Sequence, residues 1–105
     1  MLSPTDFNET VDALFDQIVE SIDATDAADD VELNQGVLEI SCKDRSKIII
    51  NRHAPTQEIW IAAKSGGYHF RWADGIWLDT RSGEPLSDAI SRVFFEQTGE
   101  RITFD

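Results

Sequence analysis

A chain of 105 residues, with 41% hydrophobic and 10% aromatic side chains, has room for one core and reads as a single domain over residues 1–105. It has no apolar run near the about 20 residues that span a bilayer, and its N-terminal MLSPTDFNET lacks both the basic flank and apolar segment of a signal peptide and an Arg-rich transit pattern, so the expected location is the cytoplasm. The formal net charge of −11 sits in residues 1–42, where eleven acids meet no Lys or Arg, against nine of each in residues 43–105; such a field repels nucleic acid and anionic membrane and attracts cations or a basic protein surface.

The first element is a helix. Ser3, Pro4 and Asp6 give a hydroxyl cap, a proline at the first position and a carboxylate at the third. Phe7, Val11, Leu14, Phe15, Ile18 and Ile22 then recur at helical spacing, and Asp6, Glu9, Asp12, Asp16, Glu20 and Asp23 gather on the opposite side. Twenty residues extend about 30 Å, so these carboxylates form a ridge with no positive side chain among them. Like charges at i,i+4 cost about 0.2–0.5 kcal/mol per pair, and Glu20 and Asp23 oppose the helix dipole. A solvated helix face is the plainer account; the uncompensated repulsion favours a ridge that binds hard cations or a basic partner. DATDAADDVE, residues 23–32, reads as a polar turn that carries the acid onward.

After residue 30 the period becomes that of strands. VELNQGVLEISC holds an Asn34-Gln35-Gly36 turn between two short runs, SKIIINR and QEIWIAAK follow, Ser65-Gly66-Gly67 turns into YHFRW, and Ala73-Asp74-Gly75 turns into IWLD. Connections this short make an antiparallel meander. A second helix begins near Pro85, with Leu86, Ala89, Ile90, Val93 and Phe94 as its stripe and Gly99 as its stop. RITFD, with Ile102 and Phe104 alternating, is a short last strand or a tail packed on the core. The predicted fold is α+β: a two-layer sandwich with two helices on one face of a five- to six-stranded antiparallel sheet. Cys42, the only cysteine, excludes an internal disulfide and a thiolate cage, and fits a small buried hydrophobe.

The other face of that sheet is left to solvent. If Ile59, Ile61 and Ala63 point to the core, then Glu58, Trp60, Ala62 and Lys64 point outward. Trp60 would stand beside His69 and Arg71, with Asn51 or His53 nearby, as an aromatic anchor for a protein partner. A one-residue slip in register would instead bury it. Trp72 and Trp77 fit a structural role at the far edge of the sheet. His53 and His69, the only histidines, could face each other across the strands as a borderline-metal site, which ranks below a plain surface role. No nucleophile–base pair and no phosphate-cradling loop is present, so an enzyme is not expected.

The runs NRHAPTQEIW and IAAKSGGYHF, with GVLEIS and SKIIINR before them, closely resemble the bacterial frataxin (CyaY) family, over nearly the whole chain and in the same element order. The resemblance implies the helix, sheet, helix sandwich and a role in iron-sulfur cluster assembly. It also implies weak, reversible binding of iron (Fe2+ or Fe3+) through Glu9, Asp12, Asp16, Glu20 and Asp23, continuing through Asp26, Asp29, Asp30 and Glu32. The partners it implies are a cysteine desulfurase and its iron-sulfur scaffold, meeting a surface centred on Trp60 with Asn51 and Arg52; Glu20 and Asp23 add a docking role. His53 and Glu58 stand where the family commonly has glutamine, and Asn8 where a histidine can occur. A purely regulatory acidic module with incidental iron binding is the alternative. A monomer is expected. Iron that neutralised the ridge would remove the repulsion that keeps monomers apart and so favour oligomers.

Overall fold

The structure, a computed structural model, describes residues 2–26 and 28–102. Helix α1 runs Pro4–Asp23, and its cap is the one its sequence specifies: Ser3 Oγ accepts from the Asp6 N–H at 3.0 Å, with Pro4 in the first turn. Six strands follow, β1 (Ala28–Asn34), β2 (Val37–Cys42), β3 (Lys47–His53), β4 (Glu58–Ala63), β5 (Gly66–Ala73) and β6 (Ile76–Asp79), then helix α2 (Leu86–Thr98). The strands pair antiparallel in sequence order. Two hairpins close through mirror-type turns that need positive φ: Gln35 and Gly36 at 52° and 81°, and Asp74 and Gly75 at 50° and 88°. Gly99, at φ 76°, ends α2 as predicted.

One sequence expectation is corrected. Residues 28–30, read as the end of a polar turn ahead of a strand run from Val31, are already the start of β1. Asp and Glu are poor strand formers, and a bulge between Ala28 and Asp30 breaks the two-residue period there; tertiary pairing with β2 imposes the strand. The closing segment RITFD is partly resolved in meaning. Ile102 is buried and its carbonyl accepts from Ser91 Oγ at 2.9 Å, so it is a packed tail, while residues 103–105, Phe104 among them, lie outside the described residues.

The core lies between the helices and one face of the sheet. Phe7, Val11, Phe15, Ile18 and Ile22 of α1 and Leu86, Ala89, Ile90, Val93 and Phe94 of α2 meet Leu38, Ile40, Cys42, Ile48, Ile50, Ile59, Ile61, Phe70 and Trp77. Each large apolar side chain buried there contributes about 1.5–3 kcal/mol. Trp77 packs edge-on against Trp72 and Phe7, the structural role expected of the two far tryptophans. Cys42 is buried, and burial pushes its thiol up. Gln97 is the polar clasp of this layer: its Oε1 accepts from the Lys64 N–H at 2.9 Å, and its Nε2 donates to Ser46 Oγ at 2.7 Å and the Lys47 carbonyl at 3.3 Å. One buried amide thus ties the end of α2 to two sheet turns.

Candidate metal ridge and docking face

Glu9, Asp12, Asp16, Glu20 and Asp23 on α1, Asp26 in the following turn, and Asp29, Asp30 and Glu32 on β1 are all exposed. They do not form one continuous row. Val31 and Leu33 pair with Ile40 and Leu38 on the helix side of the sheet, so Asp30 and Glu32 lie on its other face, and the acid turns around the edge strand. Glu32 stands opposite Glu39, which pairs with Lys47. The Lys47 ammonium is held above its ordinary range chiefly by its hydrogen bond to Glu39 and the charge of that residue, with Glu32 adding to it. Among the described residues no three His, Cys, Asp or Glu side chains converge on a common point. What the ridge offers is a series of separate carboxylates, each able to give one or two oxygens to a hard cation whose remaining positions water fills.

Asp12 differs from its neighbours. Arg52 reaches across from β3, donating Nη2 to the Asp12 carboxylate and Nη1 to Asn8 Oδ1 at 2.9 Å, with its guanidinium 5.5 Å from the centre of the Phe15 ring. Arg52 Nε is buried and has no hydrogen-bond partner among the described residues. The Gly36 turn allows this path: a Cβ at Gly36 would come within 3.3 Å of Arg52 Nε. Of the expected docking residues, Arg52 therefore lies on the helix side. Strand alternation requires it, because Asn51 is its neighbour and pairs with Trp60 on the outer face.

The outer face carries Trp60 as the period predicted, half-buried between its neighbours. His53 stacks on one side of the indole, with centroids 3.9 Å apart and planes 10° apart, and His69 stacks on the other, at 4.4 Å and 7°. The two imidazoles are separated by the indole, so they do not share a metal. His53 Nδ1 is hydrogen-bonded to Thr56 Oγ1 at 2.8 Å. Beneath the stack is Glu58, 7% exposed, accepting from Trp60 Nε1 at 2.8 Å and from Arg71 Nη2 at 2.7 Å. The Trp60 N–H first, then Thr56 and Arg71, hold the Glu58 carboxyl below the usual carboxylate range against its burial. The sequence marked Glu58 as an outward strand residue and as a departure from the glutamine frequent in the family, without a partner for it. Its in-register pairing with Arg71, and its place two residues before Trp60 on the same face, are the signals that locate it.

An open groove of ≈ 660 Å³ runs between α1 and the β5–β6 hairpin and is lined by Leu14, Trp72, Ile76, Trp77 and Leu86, with Glu9 as its one ionisable residue among the described residues. A lone carboxylate in an apolar groove offers no acid–base pair.

The family model for the frataxin-like domain matches residues 1–100. An iron-sulfur cluster assembly protein CyaY from Dechloromonas aromatica is 43% identical over 102 residues, covering 96% of this chain and 97% of its own. Another, from Tolumonas auensis, is 38% identical over 102 residues, covering 97% of this chain and 98% of its own. Among solved structures, frataxin from Psychromonas ingrahamii superposes with a TM-score of 0.91 at 30% identity over 99% of both chains. Trimeric frataxin from Saccharomyces cerevisiae, complexed with ferrous iron, superposes with a TM-score of 0.73 at 26% identity over 95% of this chain and 89% of that one.

Proposed function

The chain belongs to the frataxin-like family, and from that premise we propose that it is a non-enzymatic accessory protein of iron-sulfur cluster assembly, built as one domain. It takes iron weakly and reversibly on the acidic ridge and docks on a cysteine desulfurase and its scaffold. The observation that carries this is the exposed, unconverged set of carboxylates: Glu9, Asp16, Glu20, Asp23, Asp26, Asp29, Asp30 and Glu32 would each hold iron through one or two oxygens, while Asp12 must be shared with Arg52. A closed cage would retain the metal; separate exposed oxygens release it, which suits delivery or sensing. The yeast relative complexed with ferrous iron and the relatives named for cluster assembly support the same reading.

Docking uses two surfaces. Glu20 and Asp23 lead the acid ridge toward a basic groove and accelerate the encounter by steering that salt screens, and Trp60 with Asn51 forms the contact on the outer face of the sheet. Glu20→Lys with Asp23→Lys should weaken binding to the desulfurase complex at low salt by about tenfold or more, measured by biolayer interferometry. Affinity unchanged at low salt would refute ridge docking.

A further inference from the structure

Trp60 is held on three sides. His53 and His69 cover both faces of its ring at 3.9 and 4.4 Å, and Glu58 takes its N–H at 2.8 Å. Neither the π-faces nor the indole donor is therefore available to a partner, and what Trp60 presents is the outer edge of its ring. We propose that His53 and His69 are positioning residues that fix Trp60 edge-on for docking on an oxygen-rich segment of the partner. This inference rests on the docking role given above to the outer sheet face.

The chemistry of the rim supports that partner. Aromatic edges are electropositive relative to their faces, so three stacked rings present a strip of weakly positive C–H groups. Imidazole nitrogens, the Asn51 amide and the exposed Arg71 guanidinium, of which only Nη2 is engaged by Glu58, lie beside it. The one carboxylate of the patch is buried and already hydrogen-bonded. The strip therefore suits backbone carbonyls or carboxylates better than a basic surface, and it faces away from the ridge on α1 that meets bases. A ring held in one orientation before contact also loses less freedom on binding than a free one.

The test replaces both imidazoles in full-length protein, His53→Gln with His69→Gln, and compares it with His53→Phe and His69→Phe, which restore flat rings. Two readouts are taken: the order parameter of the Trp60 indole N–H by 15N relaxation, and affinity for the purified desulfurase–scaffold complex, with thermal unfolding as the control for folding. The glutamine pair should mobilise the indole and weaken binding about three- to tenfold, and the phenylalanine pair should recover both. An indole that stays rigid in the glutamine pair, or one that loosens without any change in affinity, overturns the positioning role. If Trp60→Ala itself leaves affinity unchanged, the docking face is wrong and the inference falls with it, a result separable from the first two because it needs no histidine variant.

Discussion

Glu58 provides the sharpest test of how the outer face is built. Its carboxylate is 7% exposed and accepts hydrogen bonds from Trp60 Nε1 and Arg71 Nη2, with Thr56 also helping to hold it charged. Glu58→Ala leaves the half-buried indole N–H without its acceptor, at about 1–3 kcal/mol for an unmet buried donor. The lost Arg71 pair adds little, because that guanidinium is 63% exposed and regains water. The expected loss is about 1–3 kcal/mol, a fall in Tm of roughly 5–20 °C for a domain of this size. Glu58→Gln keeps an acceptor in place and should cost about 1 kcal/mol at pH 7. The pH dependence has a definite sign. Because the folded carboxyl lies below its ordinary range, its contribution is complete above the unfolded value of about 4.3 and is lost as pH falls through the lower folded value. The gap between wild type and Glu58→Gln, from urea unfolding followed by tryptophan fluorescence, should be constant from pH 8 to about 5 and close below about pH 4. A glutamine variant as stable as wild type at pH 7, or a gap that widens on acidification, would refute this account of the site.

Three further outcomes follow from the same contacts. Arg52→Met and Asp12→Asn should each destabilise the fold, by about 1–3 kcal/mol for the arginine, and the double variant should be less destabilised than the sum by about 0.5 kcal/mol or more; additivity in urea melts would show that the two do not act as a pair. Gln97→Ala should cost about 2–4 kcal/mol by breaking three hydrogen bonds from a buried amide, seen as faster amide exchange at Lys64 and in the turn before Lys47. Ser3→Ala should lower stability by about 1 kcal/mol through the lost cap, and Ser3→Asp should restore it.

Most of the architecture was legible because periodicity follows from burial. Both helices carry their apolar stripe at 3.6-residue spacing, and Ile48, Ile50, Ile59 and Ile61 alternate so regularly that the facing of Trp60 was readable from its neighbours. The start of β1 was hidden because an edge strand with a bulge and exposed acids need not alternate. The site was legible in composition and incomplete in geometry. Asn51 and Arg52 are adjacent on one strand and so cannot share a face, and the resemblance placed both on the docking surface; Arg52 instead bridges to Asn8 and Asp12. Likewise, His53, Trp60 and His69 were each placed on the outer face, but their merging into one stack depends on rotamers that no spacing encodes.

The most direct test of the proposed iron role is an anaerobic ferrous titration of the apo protein, followed through its backbone amide NMR spectrum. Paramagnetic broadening should centre on residues 9–32, strongest at Glu20, Asp23 and the start of β1 and weaker at Asp12, whose carboxylate Arg52 already engages. Amides in that segment that stay sharp at millimolar iron, or broadening centred on His53 and His69, would contradict a metal-binding ridge.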